Sequence, residues 1–225
     1  MIPLVSRRPA KLPVLFSPIA LYYFDGASDV TDQSGNARTL TIATTPSDAL
    51  SPVKSKKASY AGRYTRTDAA LRLTGSMTAL AIVHADALTS TRFIAGCGVP
   101  GASGATNVLW SLGTNVQALR YFAESGASGT DTSLSVGQAL LGEFMAISLV
   151  RTGGTAISLA INGVEVGSGT CTAPDTGGSS VFSVGGDSGG GNLWAQTIDQ
   201  LAVYGSALTP AQLKYLTGIA LRGLT

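Results

Sequence analysis

The chain has 225 residues, of which 44% are apolar and 12% charged, with a formal net charge of +2. That length suits one large β-sandwich with a substantial core. No run approaches the ~20 consecutive apolar residues of a membrane-spanning helix, so a soluble protein with no membrane partner is expected. Basic residues cluster only at Arg7, Arg8 and Lys11 and at Lys54, Lys56 and Lys57. Neither cluster is interleaved with aromatics, which argues against nucleic acid. Three glutamates stand against ten aspartates while Gly, Ser, Thr and Val abound, a profile of strands and turns.

Residues 1–18 read as an extended N-terminal arm, because prolines at positions 3, 9, 13 and 18 prevent a helix and break the apolar runs. The segment resembles a secretory signal only superficially. With no core of its own, such an arm becomes ordered by docking on a neighbour, with Arg7, Arg8 and Lys11 as its basic handles. A single domain spans 19–225, without internal repeat or linker.

Strands are expected at 20–24 and 39–42, with a polar turn through 25–36 between them, then near 58–66, 71–73 and 77–84. Further strands fall at 92–96, 107–112 and 117–123, followed by a glycine-rich loop through 125–131. The clearest hairpin is 144–166. Ile157, Leu159 and Ile161 alternate with small residues, and Asn162-Gly163 supplies the two positive φ angles of a type I′ turn. That turn sets Ile161 opposite Val164 and Leu159 opposite Val166, on one apolar face. Strands at 181–184 and 197–204 enclose a flexible glycine loop, 185–192, which lacks the Gly-Lys-Ser/Thr of a phosphate-binding loop. One short C-terminal helix follows. Thr209 and Gln212 form a capping box, Pro210 suits the first turn, Leu208 and Leu213 form a staple, and Gly218 is a stop. Leu213 and Leu216 would face the sandwich.

Chemistry is harder to find. Glu124, Glu143 and Glu165 are isolated from other acids, so the paired carboxylates of a glycosidase are missing. His84 is the single histidine and is expected at the surface; with no serine or cysteine motif beside it, no nucleophilic triad or zinc cluster can be assembled. Cys97 and Cys171 have no metal or redox spacing; two free, buried thiols are favoured over a bridge between them, which the sequence leaves open. A non-catalytic protein is the expectation.

Three ordered segments carry a resemblance: Ala20–Asp25 with Asp32–Asn36, Arg63–Arg66 with Ala69–Val83, and Gly142–Arg151 with Ile161–Val164 and Ile198–Pro210. Together they resemble the laminin-G-like jelly rolls of the concanavalin A-like lectin/glucanase superfamily, over about residues 19–217. The resemblance implies an all-β, two-sheet antiparallel sandwich, and it leaves activity open because the fold hosts many functions. Some members bind Ca²⁺ where the opening turn meets the closing strand, which carries over to Asp32, Asn36 and Asp199. Asp199 shares the parity of Leu201 and Val203 and needs a partner on that apolar side. Either a hard cation or backbone N–H groups of the 32–36 turn supply it. Two functions are kept. The first is a structural or assembly protein, a bacteriophage virion decoration or tail-associated component docked through its arm, with homo-oligomers and other virion proteins as partners. The second is a carbohydrate-binding, lectin-like module, extracellular or at a cell surface, with Trp110, Tyr121, Asn192 and Trp194 as candidate sugar contacts, core packing being the favoured reading of both tryptophans.

Overall fold

A computed structural model describes residues 9–24, 30–44, 63–85, 92–98, 109–115, 118–125, 130–136, 142–171, 174, 181–194 and 196–222, with backbone alone at 44, 115, 118–125 and 130–136. The described strands form two antiparallel sheets. The six-stranded sheet runs β1 (Ala20–Tyr23), β13 (Thr197–Tyr204), β4 (Met77–His84), β9 (Phe144–Thr152), β10 (Ala156–Ile161) and β11 (Val164–Thr170). The seven-stranded sheet runs β2 (Thr41–Thr44), β3 (Arg63–Thr67), β12 (Val181–Val184), β5 (Arg92–Cys97), β6 (Trp110–Asn115), β7 (Ala118–Ser125) and β8 (Thr130–Val136). First and last strands lie side by side, with Tyr22 opposite Leu201.

Strand alternation builds two hydrophobic layers. Met77, Ala79, Ala81 and Val83 of β4 enter the core between the sheets, with Ile147, Leu149, Leu201, Val203 and, from the other sheet, Trp110, Phe182 and Val184. The intervening Leu80 and Ile82 face outwards and join a second layer beneath helix α1 (Pro210–Leu221). All eight residues of β4 are therefore buried, which is why its sequence reads as an almost unbroken apolar run. In α1, Thr209 accepts from Gln212 N and Gln212 Oε1 accepts from Thr209 N, the reciprocal pair of a capping box. Leu208, Leu213 and Leu216 are buried against the sheet. The helix passes straight through Gly218, where a Cβ would meet open space, and ends three residues later. Gly218 is not its stop.

The arm departs from expectation. Arg7 and Arg8 lie outside the described residues, but residues 9–12 pack on their own sandwich. Leu12 is buried in the second layer with Leu21, Leu80 and Leu216. Gln200 reads the arm backbone, accepting from Leu12 N (2.6 Å) and donating to Ala10 O (2.9 Å). Ala10 N donates to Ala220 O, and Tyr23 Oη donates to Leu12 O. Lys11 Nζ sits 4.8 Å from the Tyr23 ring centroid. One leucine of the right parity gives this stretch a share in the core, so these residues need no neighbour to order them.

Other differences are local. Residues 69–71 form a 3-10 turn capped by Asp68 where a strand through 71–73 was expected; the Leu71 carbonyl it exposes accepts from Trp110 Nε1 and Cys97 Sγ. β8 begins at Thr130, inside the expected loop. Asn162 and Gly163 do have positive φ, at 51° and 76°, and Ile161 faces Val164. A register shift between Leu159 and Ala160 then puts Leu159 opposite Gly167, and Val164 is 64% exposed. The apolar pairing on that face ends after one rung.

Candidate functional site

Among the expected sugar contacts, both tryptophans are structural. Trp110 and Trp194 are fully buried in the inter-sheet core, and each spends its indole N–H on a carbonyl, of Leu71 (3.1 Å) and Thr197 (3.3 Å) respectively. Trp identity does not reveal which face a strand presents, and here the aromatic body outweighed its polar handle. Tyr121 stands in β7 opposite Leu112, a core residue; its side chain lies outside the described residues. Of the three whose side chains are described, Asn192 reaches a polar surface.

That surface is made by the glycine-rich segment after β12. Gly185 N donates to Ile94 O, whereas Ser188 N donates to Gly98 O. Ile94 and Gly98 are four positions apart, ~13 Å along a strand. The chain therefore doubles back as a flap over the outer face of the seven-stranded sheet. Ser183 points to that face, between the core residues Phe182 and Val184, and is fully buried. The flap is pinned from within. Asp187, 1% exposed, accepts from Gly189 N, Gly191 N and Asn192 Nδ2, all at 2.9 Å. Arg63 clamps it from the side, donating through Nη1 to the carbonyls of Asp187 and Ser188. Arg92 Nη1 holds the Leu193 carbonyl (3.2 Å). Expected as a flexible loop, the segment is a hydrogen-bonded platform whose Gly189, Gly190 and Gly191 are exposed backbone. Beneath it Phe93, 3% exposed, belongs to neither core layer and lies over Gly96, where a Cβ would come within 2.8 Å of its Cζ.

The rim thus holds half-buried Arg63, Thr65, Arg92, Ser188 and Asn192 around bare glycine backbone. Guanidinium, amide and hydroxyl groups offer donors and acceptors in fixed geometry. The one carboxylate in the cluster, Asp187, is consumed by the flap itself. Composition singled out the glycines and Asn192; Arg63 and Arg92, distant in sequence, gave no signal of their own.

The residues considered for calcium are arranged for another task. Asp32 Oδ1 accepts from Leu21 N (3.0 Å) and Ser34 N (2.9 Å), and Oδ2 from Ser34 Oγ and Arg38 N (both 2.9 Å). Burial pushes this carboxyl up, but the N–H donors of Ser34, Arg38 and Leu21 and the Ser34 hydroxyl outweigh it and hold it below the usual range. Asn36 turns its amide N–H groups to the carbonyls of Pro18 and Ile19. The turn therefore seals the outer edge of β1, where unpaired strand groups would otherwise be open. A bulge between Ile198 and Gln200 breaks the alternation that would align Asp199 with Leu201, and its carboxylate accepts from Gln200 Nε2. This donor set does not fit a hard cation, which wants six to eight oxygens. Among the described residues no three His, Cys, Asp or Glu side chains converge.

Other expectations concern single groups. His84 is buried, 5.2 Å from the Phe144 ring centroid, and is not a surface residue; β4 is covered on both faces at that point. Cys97 and Cys171 are buried and not joined in a disulfide, and burial pushes the Cys97 thiol up. On the opposite sheet, a depression of about 430 Å³ is lined by Val150, Thr152, Ser158, Ser168 and Thr170. It offers aliphatic and hydroxyl groups alone, so the flap is the better-equipped surface.

Residues 57–214 match the sequence profile of Laminin_G_3, described as the concanavalin A-like lectin/glucanases superfamily. No curated protein matches the chain. Among solved structures, the receptor binding domain of botulinum neurotoxin type G is similar with a TM-score of 0.63 and 13% identity, over 90% of this chain and 51% of that one. The binding domain of Paraclostridial mosquitocidal protein 1 gives 0.65 and 11%, over 93% and 54%. Domain 4 of AbnA, a GH43 extracellular arabinanase from Geobacillus stearothermophilus in complex with arabinotriose, gives 0.60 and 20%, over 93% of this chain and 100% of that one. The chain spans about half the length of the two toxin domains. At these identities the likeness is one of fold.

Proposed function

The chain belongs to the concanavalin A-like lectin/glucanases superfamily, and from that premise we propose that it is a non-catalytic glycan-binding domain. Its site is the flap on the outer face of the seven-stranded sheet. The observation that carries this is the pinned Gly185–Asn192 platform, with Arg63, Arg92 and Asn192 at its rim. A sugar ring presents several hydroxyls at once, and a preorganised set of donors and acceptors loses little entropy in meeting them. The exposed glycines let a ring approach the backbone without meeting a side chain. Similarity to an arabinanase domain in complex with arabinotriose, matched end to end, supports the reading. So do the toxin domains described as binding domains. An extracellular or cell-surface setting goes with it.

Two carboxylates flanking a glycosidic bond would be needed for hydrolysis, and the one carboxylate at the flap is engaged by three internal donors. One support for the virion-assembly reading was an arm that needed a neighbour, and of that arm residues 9–12 are held by their own domain.

Affinity electrophoresis through gels cast with arabinan and other polysaccharides tests the site. The unaltered chain should be retarded by at least one polysaccharide. Asn192→Ala combined with Arg92→Ala should weaken that retardation about tenfold or more, as removal of two polar contacts implies. Undiminished retardation in the double variant would place the site elsewhere.

A further inference from the structure

The charge of the flap selects among glycans, a selectivity that rests on the glycan-binding reading above. Two guanidinium groups, Arg63 and Arg92, stand half-buried at its rim. The flap's own carboxylate does not answer them. Asp187 is buried and spends its oxygens on Gly189 N, Gly191 N and Asn192 Nδ2. Both arginines are met instead by backbone carbonyls, those of Asp187 and Ser188 for Arg63 and that of Leu193 for Arg92.

The same residue type is treated differently nearby. Arg38 and Arg66 share the Asp68 carboxylate, at 3.3 and 2.9 Å. Among the described residues the two rim arginines have no such ion pair. Carbonyl dipoles hold a guanidinium in place without cancelling its charge, and a partly buried cation lacking a counter-charge is costly. In Arg63, Nη1 serves two carbonyls while the buried Nε has no hydrogen-bond partner. The face of this group is kept clear as well. A Cβ at Gly190 would stand 3.9 Å from Arg63 Cζ and Nη1, so glycine there keeps a side chain off the guanidinium.

We infer that the flap takes acidic glycans, those carrying carboxylate or sulfate groups. Arg63 and Arg92 meet the anionic oxygens, while Asn192 and the bare glycine backbone meet ring hydroxyls. The planar fork of arginine matches two oxygens of one oxyanion, and such charge-assisted bonds are the strong ones. A neutral sugar can fill the hydroxyl contacts but leaves both cations unanswered. The net charge of the whole chain is only +2, too little for general attraction to give the same preference. The selectivity is local to the rim.

Interferometry of the full chain on surfaces bearing polygalacturonate or its methyl ester compares one sugar backbone with and without charge. Dextran sulfate against dextran does the same for sulfate, so the pair that discriminates identifies the anion. At least one charged form should bind about tenfold or more tighter than its neutral counterpart, and added salt should weaken it. Arg92→Gln should narrow that gap about tenfold. Ser188→Asp adds an acid at the rim while leaving both arginines in place, and should narrow the gap with no fall in melting temperature. Lys214→Gln, which removes one charge from the exposed face of α1, should leave the gap as it is. Equal binding to charged and neutral forms would overturn the preference for acids while glycan binding stood. An equal loss in Lys214→Gln would reduce the preference to general attraction and overturn it too. Binding to none of these surfaces, nor to arabinan, would contradict glycan binding itself and this selectivity with it.

Discussion

Asp32 takes four hydrogen bonds on two oxygens and closes the edge of β1. Its carboxyl titrates below the ordinary aspartate range, so the ionised form is favoured more in the folded than in the unfolded chain. The stabilisation is therefore complete above about pH 4 and is lost as pH falls from there through the folded value. Asp32→Ala should cost about 2 kcal/mol at neutral pH, since buried donors lose their acceptor. Urea denaturation at pH 7 and near pH 3 measures it. The gap between variant and wild type should narrow on acidification; a gap independent of pH would mean the carboxylate does not act as described.

Arg151 is a second such residue. It is fully buried, and its guanidinium is met by the carbonyls of Gly75 (2.9 Å), Leu109 (3.1 Å) and Leu73 (2.5 Å). Two segments, 72–76 and the residue before β6, are thereby tied to β9. Arg151→Met should cost about 3 kcal/mol, because those carbonyls would be buried without a donor. Arg151→Lys should not restore it, since a single ammonium cannot span the planar fork. Chemical denaturation of both variants decides this. Neither role is legible in the sequence: Asp32 closes the edge through Leu21 of β1, although its other donors lie in its own turn, and the acceptors of Arg151 all lie outside β9.

Among elements, those written in local chemistry were readable. The capping box at Thr209, the type I′ turn at Asn162-Gly163 and the span of β13 all follow from a few adjacent residues. Elements that depend on distant partners were not. The hairpin register slips after one rung, and the 69–71 turn forms because its carbonyl is caught by Trp110 and Cys97, from other strands. Gly218 looked like a terminator because glycine is common there, yet the helix continues under the packing of Leu216 and Ala220. Gly218→Ala should therefore stabilise the protein by ~0.5–1 kcal/mol, with open space for the methyl. Thr209→Ala should destabilise it by ~1 kcal/mol. Thermal melts of the two variants should move in opposite directions, and a lowered melting temperature for Gly218→Ala would contradict the helix as described.

At the scale of the molecule, alternation and turn chemistry point to an all-β sandwich or barrel because both are local signals repeated many times, and the two-sheet arrangement is what the family resemblance implies. The binding surface is legible only in part. Asn192 lies on it, but the flap exists because Gly185 reaches Ile94 of β5 while Ser188 reaches Gly98 just past that strand, and Arg63 arrives from a strand more than a hundred residues earlier. Both tryptophans took the favoured of their two readings, the core: a residue able to serve core or surface is assigned by the packing around it. The central claim is that this platform recognises glycans without transforming them. A glycan microarray probed with the full chain addresses it most directly. The account predicts reproducible binding to a defined set of saccharides, with the bound sugars unchanged on recovery and the signal lost in the Asn192→Ala, Arg92→Ala variant. No binding to any saccharide, or cleavage of those bound, would contradict it.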